Sequence, residues 1–264
     1  MHATSRDALA VLREQLTPAL VAEVGTELFS VVTLLDAERG LRRTLADGST
    51  DPDSRADLVS RLFTGKVADA TVAVLTAAVR QQWSSPRDLV DSLELVGRES
   101  LLRGAERDGQ LDTVEDELFR LGRIVAASPS LERALADRTA AAGQRTSLVH
   151  GLLDGKVTTV TEALASQVVE RLREEPADAF DALSTLAARQ REQSVAHVRS
   201  AVGLTDTQLE RLTRTLSTTY GRTVTVHVEV DRSLTGGLVV QVGDDVIDGS
   251  VAGRIETLRR RLAG

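Results

Sequence analysis

Two Gly-Lys-Val triplets are the first residues of this chain whose types could do chemistry. Gly65-Lys66-Val67 and Gly155-Lys156-Val157 contain the Gly-Lys pair that ends a phosphate-binding loop. Such a loop also requires an earlier glycine at fixed spacing, a Ser or Thr after the lysine and a preceding strand. Because all three are missing, we expect each triplet to be a turn between two helices, in which glycine ends the first helix in a left-handed conformation.

No other set of residues predicts a catalytic or metal site. The histidines are scattered along the chain: His2, His150, His197 and His227. The sequence has no cysteine and no Gly-x-Ser-x-Gly or His-Glu-x-x-His motif, which excludes thiolate chemistry and the serine-hydrolase and zinc-protease signatures. We therefore expect no catalytic residue, no cofactor and no metal, and we interpret the chain as an accessory protein.

Charge and hydropathy limit the partners. A net charge of -7 over 264 residues argues against nucleic acid, because binding to phosphates needs a surplus of Lys and Arg on one face. The longest mostly apolar stretch, Val67 to Val79, contains Asp69 and is shorter than the roughly 20 residues that span a bilayer. Met1 to Asp7 lacks the apolar core of a signal peptide. We expect a cytoplasmic protein, without direct membrane insertion, that reaches a membrane only through a partner.

An internal duplication organises the first two thirds of the sequence. Glu27-Leu28-Phe29 returns ninety residues later as Glu117-Leu118-Phe119, and the two Gly-Lys-Val triplets have the same offset. About a third of the residues between Glu27 and Arg98 are identical to their partners at this offset. This predicts two copies of one helical module.

Apolar spacing predicts about six helices in copy one. The first helix carries a stripe at intervals of three and four residues: Leu9, Leu12, Leu16 and Leu20. Asp51-Pro52 and Ser85-Pro86 each place a capping side chain before a proline and so predict two helix starts. Copy two repeats helices two to six, but the residues aligned with the first helix, 95–116, are largely the end of copy one's last helix and a short connector. Whether the two bundles share a helix is left open.

The last third of the sequence changes to a period of two. Apolar residues alternate in Val195 to Val202 and in Val224 to Val230, which predicts two strands. Between them Thr205 and Gln208 form a capping box, so a helix is expected from about Asp206 to Tyr220. Gly243-Asp244-Asp245 predicts a tight hairpin, and a last helix is expected after Ser250.

These patterns predict a mainly α fold with a small α/β C-terminal domain. Two tandem homologous helical bundles come first, followed by a strand-helix-strand-hairpin-helix domain. The expected boundaries are 1–106 for copy one, 107–194 for copy two and 195–264 for the C-terminal domain.

The C-terminal segment resembles a known family. Val230 to Gly237, Val242 to Val251 and Gly253-Arg254-Ile255 are similar to the C-terminal signature of the ATP synthase delta subunit, called the oligomycin sensitivity-conferring protein in mitochondria. Copy one looks like the extra domain of actinobacterial members. We interpret the signature residues as forming turns and a helix cap, not a catalytic site. They are Asp231, Gly236, Gly237, Gly243, Asp244, Asp248, Gly249, Ser250, Gly253 and Arg254.

The resemblance implies that a helical bundle grips the N-terminal helix of an alpha subunit between its first and fifth helices. Carried onto copy one, the candidate groove residues are Leu9, Leu12, Leu16, Val72, Leu75 and Val79. The alternative for each is an ordinary core position. The C-terminal domain would meet b-type stalk subunits, with a candidate surface of Arg254, Arg259, Arg260 and Arg261. The alternative for these arginines is a solvated helix end.

The function implied is that of a non-catalytic peripheral-stalk subunit of a proton-translocating rotary ATP synthase. It would be present in a single copy at the cytoplasmic face of the membrane, linking the alpha/beta head to the stalk against rotor torque. The alternative is a helical adaptor of another multisubunit assembly.

Overall fold

A computed structural model describes residues 2–16, 22–137, 139, 141–193, 195–220, 224–243, 245–251 and 253. The chain forms two compact units, Met1–Ala187 and Ala188–Gly264. The first is helical, and the second contains a four-stranded sheet. The expected fold class, mainly α with a small α/β C-terminal domain, is confirmed. The division into three domains stays a prediction.

Eleven helices precede the sheet in the described residues. They are α1 (Ala3–Leu16), α2 (Ala22–Ala37), α3 (Arg39–Leu45), α4 (Pro52–Phe63), α5 (Asp69–Arg80), α6 (Pro86–Arg107), α7 (Leu111–Ala127), α8 (Pro129–Ala136), α9 (Ala142–Leu153), α10 (Thr159–Glu170) and α11 (Pro176–Gln193). Helices α2 to α6 are thus repeated, ninety residues later, as α7 to α11. The duplication in the sequence is a duplication of structure.

Local chemistry begins and ends these helices where the sequence predicts. The Asp51 side chain accepts a hydrogen bond from the backbone N–H of Ser54 at 3.0 Å, before the proline that starts α4. Ser85 does the same for α6 through the N–H of Asp88 at 3.2 Å. Gly65 and Gly155 have φ angles of +76° and +67°. The two Gly-Lys-Val triplets are therefore turns with left-handed glycines, as expected.

Helix α6 belongs to both bundles. Its side chains Leu89 and Leu93 lie in a core shared with α1 to α5, which we call the first bundle. Leu101 and Leu102, two turns later, lie in the core of the second bundle with residues of α7 to α11. Since α6 covers the residues that the repeat aligns with α1, it supplies the first helix that copy two lacks.

Glycines let α2 cross α6 at close range. A Cβ atom on Gly25 would lie 2.7 Å from the Gly97 carbonyl oxygen, and one on Gly104 would lie 2.7 Å from the Ala22 Cβ. Phe29 packs over Gly97, where an added Cβ would be 2.8 Å from its ring. Both distances between carbon atoms are shorter than ordinary van der Waals contacts. Only glycine at these places allows the helices to approach so closely.

An ion-pair network joins the two bundles at the end of α10. The Arg171 guanidinium contacts the carboxylates of Asp36 on α2 and of Asp91 and Glu94 on α6, the Asp91 contact at 3.1 Å. Arg98 pairs with Glu94 at 2.6 Å, and burial lowers the pKa of Arg98 to about 10. The Glu94 side chain is only 8% exposed, so these arginines replace the contacts with water that its carboxylate lacks. The network fixes the end of the second bundle to the first.

The second unit is a mixed sheet with a crossover helix. Its elements are β1 (Val195–Ser200), α12 (Asp206–Tyr220), β2 (Thr225–Val230), β3 (Leu238–Val242) and β4 (Asp245–Asp248). The strand order is β2-β1-β3-β4, with β1 and β2 parallel and the other pairs antiparallel. This confirms the predicted order of strand, helix, strand and hairpin.

Alternation along β1 gives this unit its core. Ala196 and Val198 are buried, and Leu216 of α12 packs in the same cluster. At the start of α12, the Thr205 N–H donates to the Gln208 side-chain oxygen at 2.9 Å, and the Gln208 N–H donates to the Thr205 hydroxyl at 3.4 Å. The predicted capping box is therefore present.

Candidate partner-binding surfaces

Helix α1, the first wall of the candidate groove, is fixed at both ends. The Ser5 hydroxyl donates to the buried Asp88 carboxylate at 2.7 Å and accepts from the Ser84 N–H at 2.9 Å. Near the other end, Arg13 forms an ion pair with Glu99 of α6. These contacts hold α1 against α6 over most of its length.

Helix α5, the second wall, is held by a carboxylate from α2. Ala68 precedes α5 and has no side chain that could cap it. Glu27 takes this role: its two oxygens each accept from the Ala68 N–H at 3.0 Å, and the Thr71 hydroxyl donates to the same group. In the second bundle, Glu117 accepts from the Thr158 N–H in the same way.

Most candidate groove residues lie in the core of the chain itself. The exposed fractions are 5% for Leu9, 0% for Leu12, 2% for Leu75 and 1% for Val79. Val72 is half-buried, and the side chain of Leu16 lies outside the described residues. The structure brings the five described candidates into one cluster, in which four of them are buried within the chain itself.

One rim residue stands out when the two bundles are compared. Val11 on α1 is 39% exposed. Its equivalent ninety residues later, Leu101 on α6, is 2% exposed, because α2 lies over it: a Cβ on Gly25 would be 2.7 Å from the Leu101 Cγ. The position that is partly exposed in the first bundle is thus covered by α2 in the second.

Residues on one face of α2 cover this part of the second bundle. Ala22 and Phe29 pack against the core of the second bundle, the Thr33 hydroxyl donates to Glu170 of α10 at 3.1 Å, and Asp36 pairs with Arg171. With Gly25 these residues recur at intervals of three and four, so they share one face of α2. Helix α2 therefore lies against α6 and α10, the second bundle's equivalents of α1 and α5.

The C-terminal signature forms a turn in which glycines are required. Gly237 has a φ angle of +81°, and a Cβ there would lie 2.5 Å from the Gly249 carbonyl oxygen. The Gly249 N–H donates to the Leu238 carbonyl at 2.9 Å, and the Val251 N–H donates to the Gly236 carbonyl at 3.0 Å. Two glycine-containing segments are thus hydrogen-bonded side by side. Only glycine fits at position 237.

The other signature residues also make turn and cap contacts. The Ser250 hydroxyl accepts from the Gly253 N–H at 3.0 Å. The helix expected after Ser250 lies largely outside the described residues. Hydrogen bonds from Ser250 lower the pKa of Asp248, and hydrogen bonds from Ser233 lower that of Asp231. Gly243 has a φ angle of +56° in the hairpin between β3 and β4. Asp244 and the candidate stalk-binding arginines, Arg254, Arg259, Arg260 and Arg261, lie outside the described residues.

Metal binding and membrane crossing are two alternatives to partner binding. No group of three His, Asp or Glu side chains among them could hold a metal ion. None of their helices is both long and apolar enough to cross a bilayer.

Sequence reasoning missed the residues that hold the walls in place. Glu27 and Glu117 were visible as part of the repeated Glu-Leu-Phe triplet, and their recurrence was the available signal. The Arg171 network gave no such signal, because the residue at the same place in copy one is Gln81.

Comparison with known proteins places the chain in a family. The family described as "ATP synthase delta (OSCP) subunit" matches residues 99–262, and this match begins inside α6. The ATP synthase subunit delta of Rhodococcus opacus (strain B4) is 54% identical over 274 residues, covering 99% of each chain. That of Nocardia farcinica (strain IFM 10152) is 54% identical over 269 residues, covering 100% of each.

A chain of the Toxoplasma gondii mitochondrial ATP synthase hexamer aligns with 63% of this chain, at 17% identity and a TM-score of 0.32, and covers 95% of its own length. The family match and the relatives of Rhodococcus and Nocardia suffice: the chain belongs to the ATP synthase delta (OSCP) subunit family.

Proposed function

We propose that this chain, a peripheral-stalk subunit of a rotary ATP synthase by its family, holds the catalytic head with its first bundle and the stalk with its C-terminal domain. The partner at the first bundle is the N-terminal helix of an alpha subunit, seated between α1 and α5. The partner of the C-terminal domain is a b-type stalk subunit, reached through the last helix and its arginines. Family membership favours this function over the helical adaptor.

The observation that carries the choice of bundle is the contrast between Val11 and Leu101. In the second bundle, α2 already lies on the face that a partner helix would need. In the first bundle, the equivalent face of α1 carries Val11, an apolar side chain that is 39% exposed. A helix that buries Val11 would cover α1 in the first bundle as α2 covers Leu101 in the second. Val72 has no such counterpart, because its equivalent, Glu162, pairs with His150 of α9.

The work of the subunit is mechanical, without an active site of its own. It sits as a single copy at the cytoplasmic face of the membrane and keeps the head from turning with the rotor. Two separate contacts on one body raise the overall affinity, because the second contact forms at a high effective concentration. The shared helix α6, the glycine crossing and the Arg171 network support this role, since they join the two bundles through several independent contacts.

Replacement of Val11 tests the proposed groove. Leu12 is unsuitable for this purpose, because a charge at a position with 0% exposure would destabilise the bundle itself. Val11→Asp changes an exposed residue, and Leu34→Asp is a matched control at 41% exposure on α2. We expect Val11→Asp to weaken binding of an alpha-subunit N-terminal peptide about tenfold in titration calorimetry, and Leu34→Asp to change it less than about twofold. Equal affinities for the wild type and Val11→Asp would exclude this groove.

A further inference from the structure

Two adjoining cavities open where α3, the start of α6 and the end of α10 meet. The larger has a volume of about 670 Å³, and six arginines line it: Arg39, Arg42, Arg87, Arg145, Arg171 and Arg173. The smaller has a volume of about 440 Å³ and adds Arg43. The carboxylates in the described lining are Asp36 and Glu170. In a chain of net charge -7 this is a strong local excess of positive charge.

Several of these arginines already form ion pairs or hydrogen bonds within the chain. Asp36 pairs with Arg42 at 3.2 Å and also with Arg171, and Asp91 pairs with Arg171 and Arg173. Arg145 is 9% exposed and is held in place by the carbonyls of Val169 and Asp137, at 3.1 and 2.9 Å. These contacts fix the walls of the larger cavity before any ligand binds.

Three arginines at the rim of the two cavities, Arg39, Arg43 and Arg87, supply the charge that is available to a ligand. Arg39, Arg43 and Arg87 are exposed, and their side chains make no ion pair with any residue that the structure describes. Arg39 and Arg87 line both cavities, together with Arg42. A ligand that satisfies the rim must therefore carry negative charges at more than one place.

We propose that the two cavities form one docking site for an acidic segment of a partner polypeptide. Arginine forks match carboxylates in pairs of hydrogen bonds, and several forks spread over adjoining cavities fit carboxylates spaced along a chain. Arginine forks also match phosphates, but the lining that the structure describes contains no glycine turn of the kind that surrounds the phosphates of a nucleotide. The apolar side chains there are Leu172 and Pro86, so a nucleotide base would find no aromatic ring to stack on. The proposal does not depend on the stalk function.

The test measures binding of a fluorescein-labelled octaglutamate peptide to the full chain by fluorescence anisotropy. The triple variant Arg39→Ala, Arg43→Ala, Arg87→Ala removes the rim. The control variant Arg61→Ala, Arg123→Ala, Arg211→Ala removes three exposed arginines elsewhere and changes the net charge equally. We expect the rim variant to bind about tenfold more weakly and the control to stay within about twofold. Circular dichroism checks that both variants fold.

Three results would overturn the proposal. The first is no binding by the wild type at low salt, and the second is an equal loss in both variants, which would mean that charge is sensed over the whole surface. The third separates the two sources of anionic charge. At matched ionic strength we expect inorganic phosphate and ATP to displace the peptide no better than KCl does; stronger displacement would assign the site to small phosphate anions.

Discussion

Glu27 lies 41 residues before Ala68 in the sequence, yet its carboxylate caps the backbone N–H of Ala68 through two contacts of 3.0 Å. Glu117 makes the same contact with Thr158 at 3.1 and 3.0 Å. A helix start is normally capped from within its own first turn. In both bundles the capping carboxylate comes from another helix. The helix start is therefore capped only when the two helices pack together.

The two caps are expected to differ in strength. Thr158 also caps its own helix, because its hydroxyl accepts from the Thr161 N–H at 3.2 Å, whereas Ala68 has no side-chain cap. We expect Glu27→Ala to lower the free energy of unfolding by about 2–3 kcal/mol and Glu117→Ala by about 1 kcal/mol. Urea denaturation followed by circular dichroism measures both. Equal losses would show that the local cap of Thr158 contributes nothing.

The glycine crossing gives a second prediction. Gly25→Ala places a Cβ 2.7 Å from the Gly97 carbonyl oxygen, a backbone atom that cannot turn away, so α2 and α6 must separate. We expect a loss of about 2 kcal/mol or more in the free energy of unfolding. Gly40→Ala on α3 is the control, since no atom lies within 4 Å of its added Cβ. That change is expected to stabilise the protein by about 0.5–1 kcal/mol through helix propensity.

The single tryptophan allows unfolding of the first bundle to be followed separately. Trp83 is 8% exposed in the first bundle and donates to the Ala78 carbonyl at 2.8 Å. Its fluorescence reports the first bundle, while circular dichroism reports all helices. If Gly25→Ala left both melting transitions unchanged, the close crossing of α2 and α6 would be contradicted.

Removal of Arg171 tests the junction between the bundles. Arg171→Ala leaves Asp36, Asp91 and Glu94 without a shared partner, and Glu94 is only 8% exposed. Each carboxylate keeps one other partner, Arg42, Arg173 or Arg98. We therefore expect a loss of about 1.5–3 kcal/mol, the contribution of hydrogen bonds to a charged group. Arg80→Ala, in an ion pair whose side chains are 51% and 79% exposed, should cost less than about 1 kcal/mol. Similar losses in the two variants would rule out a special role for Arg171.

Acid should weaken the same junction. Burial alone would raise the pKa of Asp91, but hydrogen bonds and charge from Arg173 and Arg171 outweigh it, so the pKa lies below that of an ordinary aspartate. A depressed carboxylate pKa stabilises the fold above the unfolded-state pKa, and this stability is lost as the pH falls through the folded-state value. We therefore expect Asp91→Asn to be less stable than the wild type at neutral pH and to approach it in acid. Urea midpoints at several pH values, with the exposed Asp57→Asn as control, measure the difference.

Much of the fold follows from local sequence signals, and the candidate surfaces follow only in part. Asp51-Pro52, Ser85-Pro86 and the Thr205 capping box act within one helical turn, so their outcome does not depend on distant residues. The alternation along β1 and β2 is equally local. These elements were therefore predictable from the sequence alone.

Contacts between elements were not predictable in this way. Arg171 and Asp36 are 135 residues apart, and their pairing depends on how the second bundle lies on α2. The exposure of Val11 has the same origin: Leu9, Leu12 and Val11 are all apolar, and only the packing decides which of them faces outward. The groove implied by the family resemblance therefore stays a prediction, and the sequence does not show which of its side chains face outward.

The glycines of the C-terminal signature are expected to be structural, and Gly237 is the residue that tests this. Gly237→Ala forces a Cβ to within 2.5 Å of the Gly249 carbonyl oxygen at a φ angle of +81°, so the Leu238–Gly249 hydrogen bond should break. We expect faster hydrogen exchange in β3 and β4 and an unchanged Trp83 fluorescence transition. Gly203→Ala, with no atom within 4 Å of its Cβ, is the control. A Gly237→Ala chain that keeps normal exchange yet loses its place in the ATP synthase would point to a binding role for this glycine, because the turn would then tolerate the change.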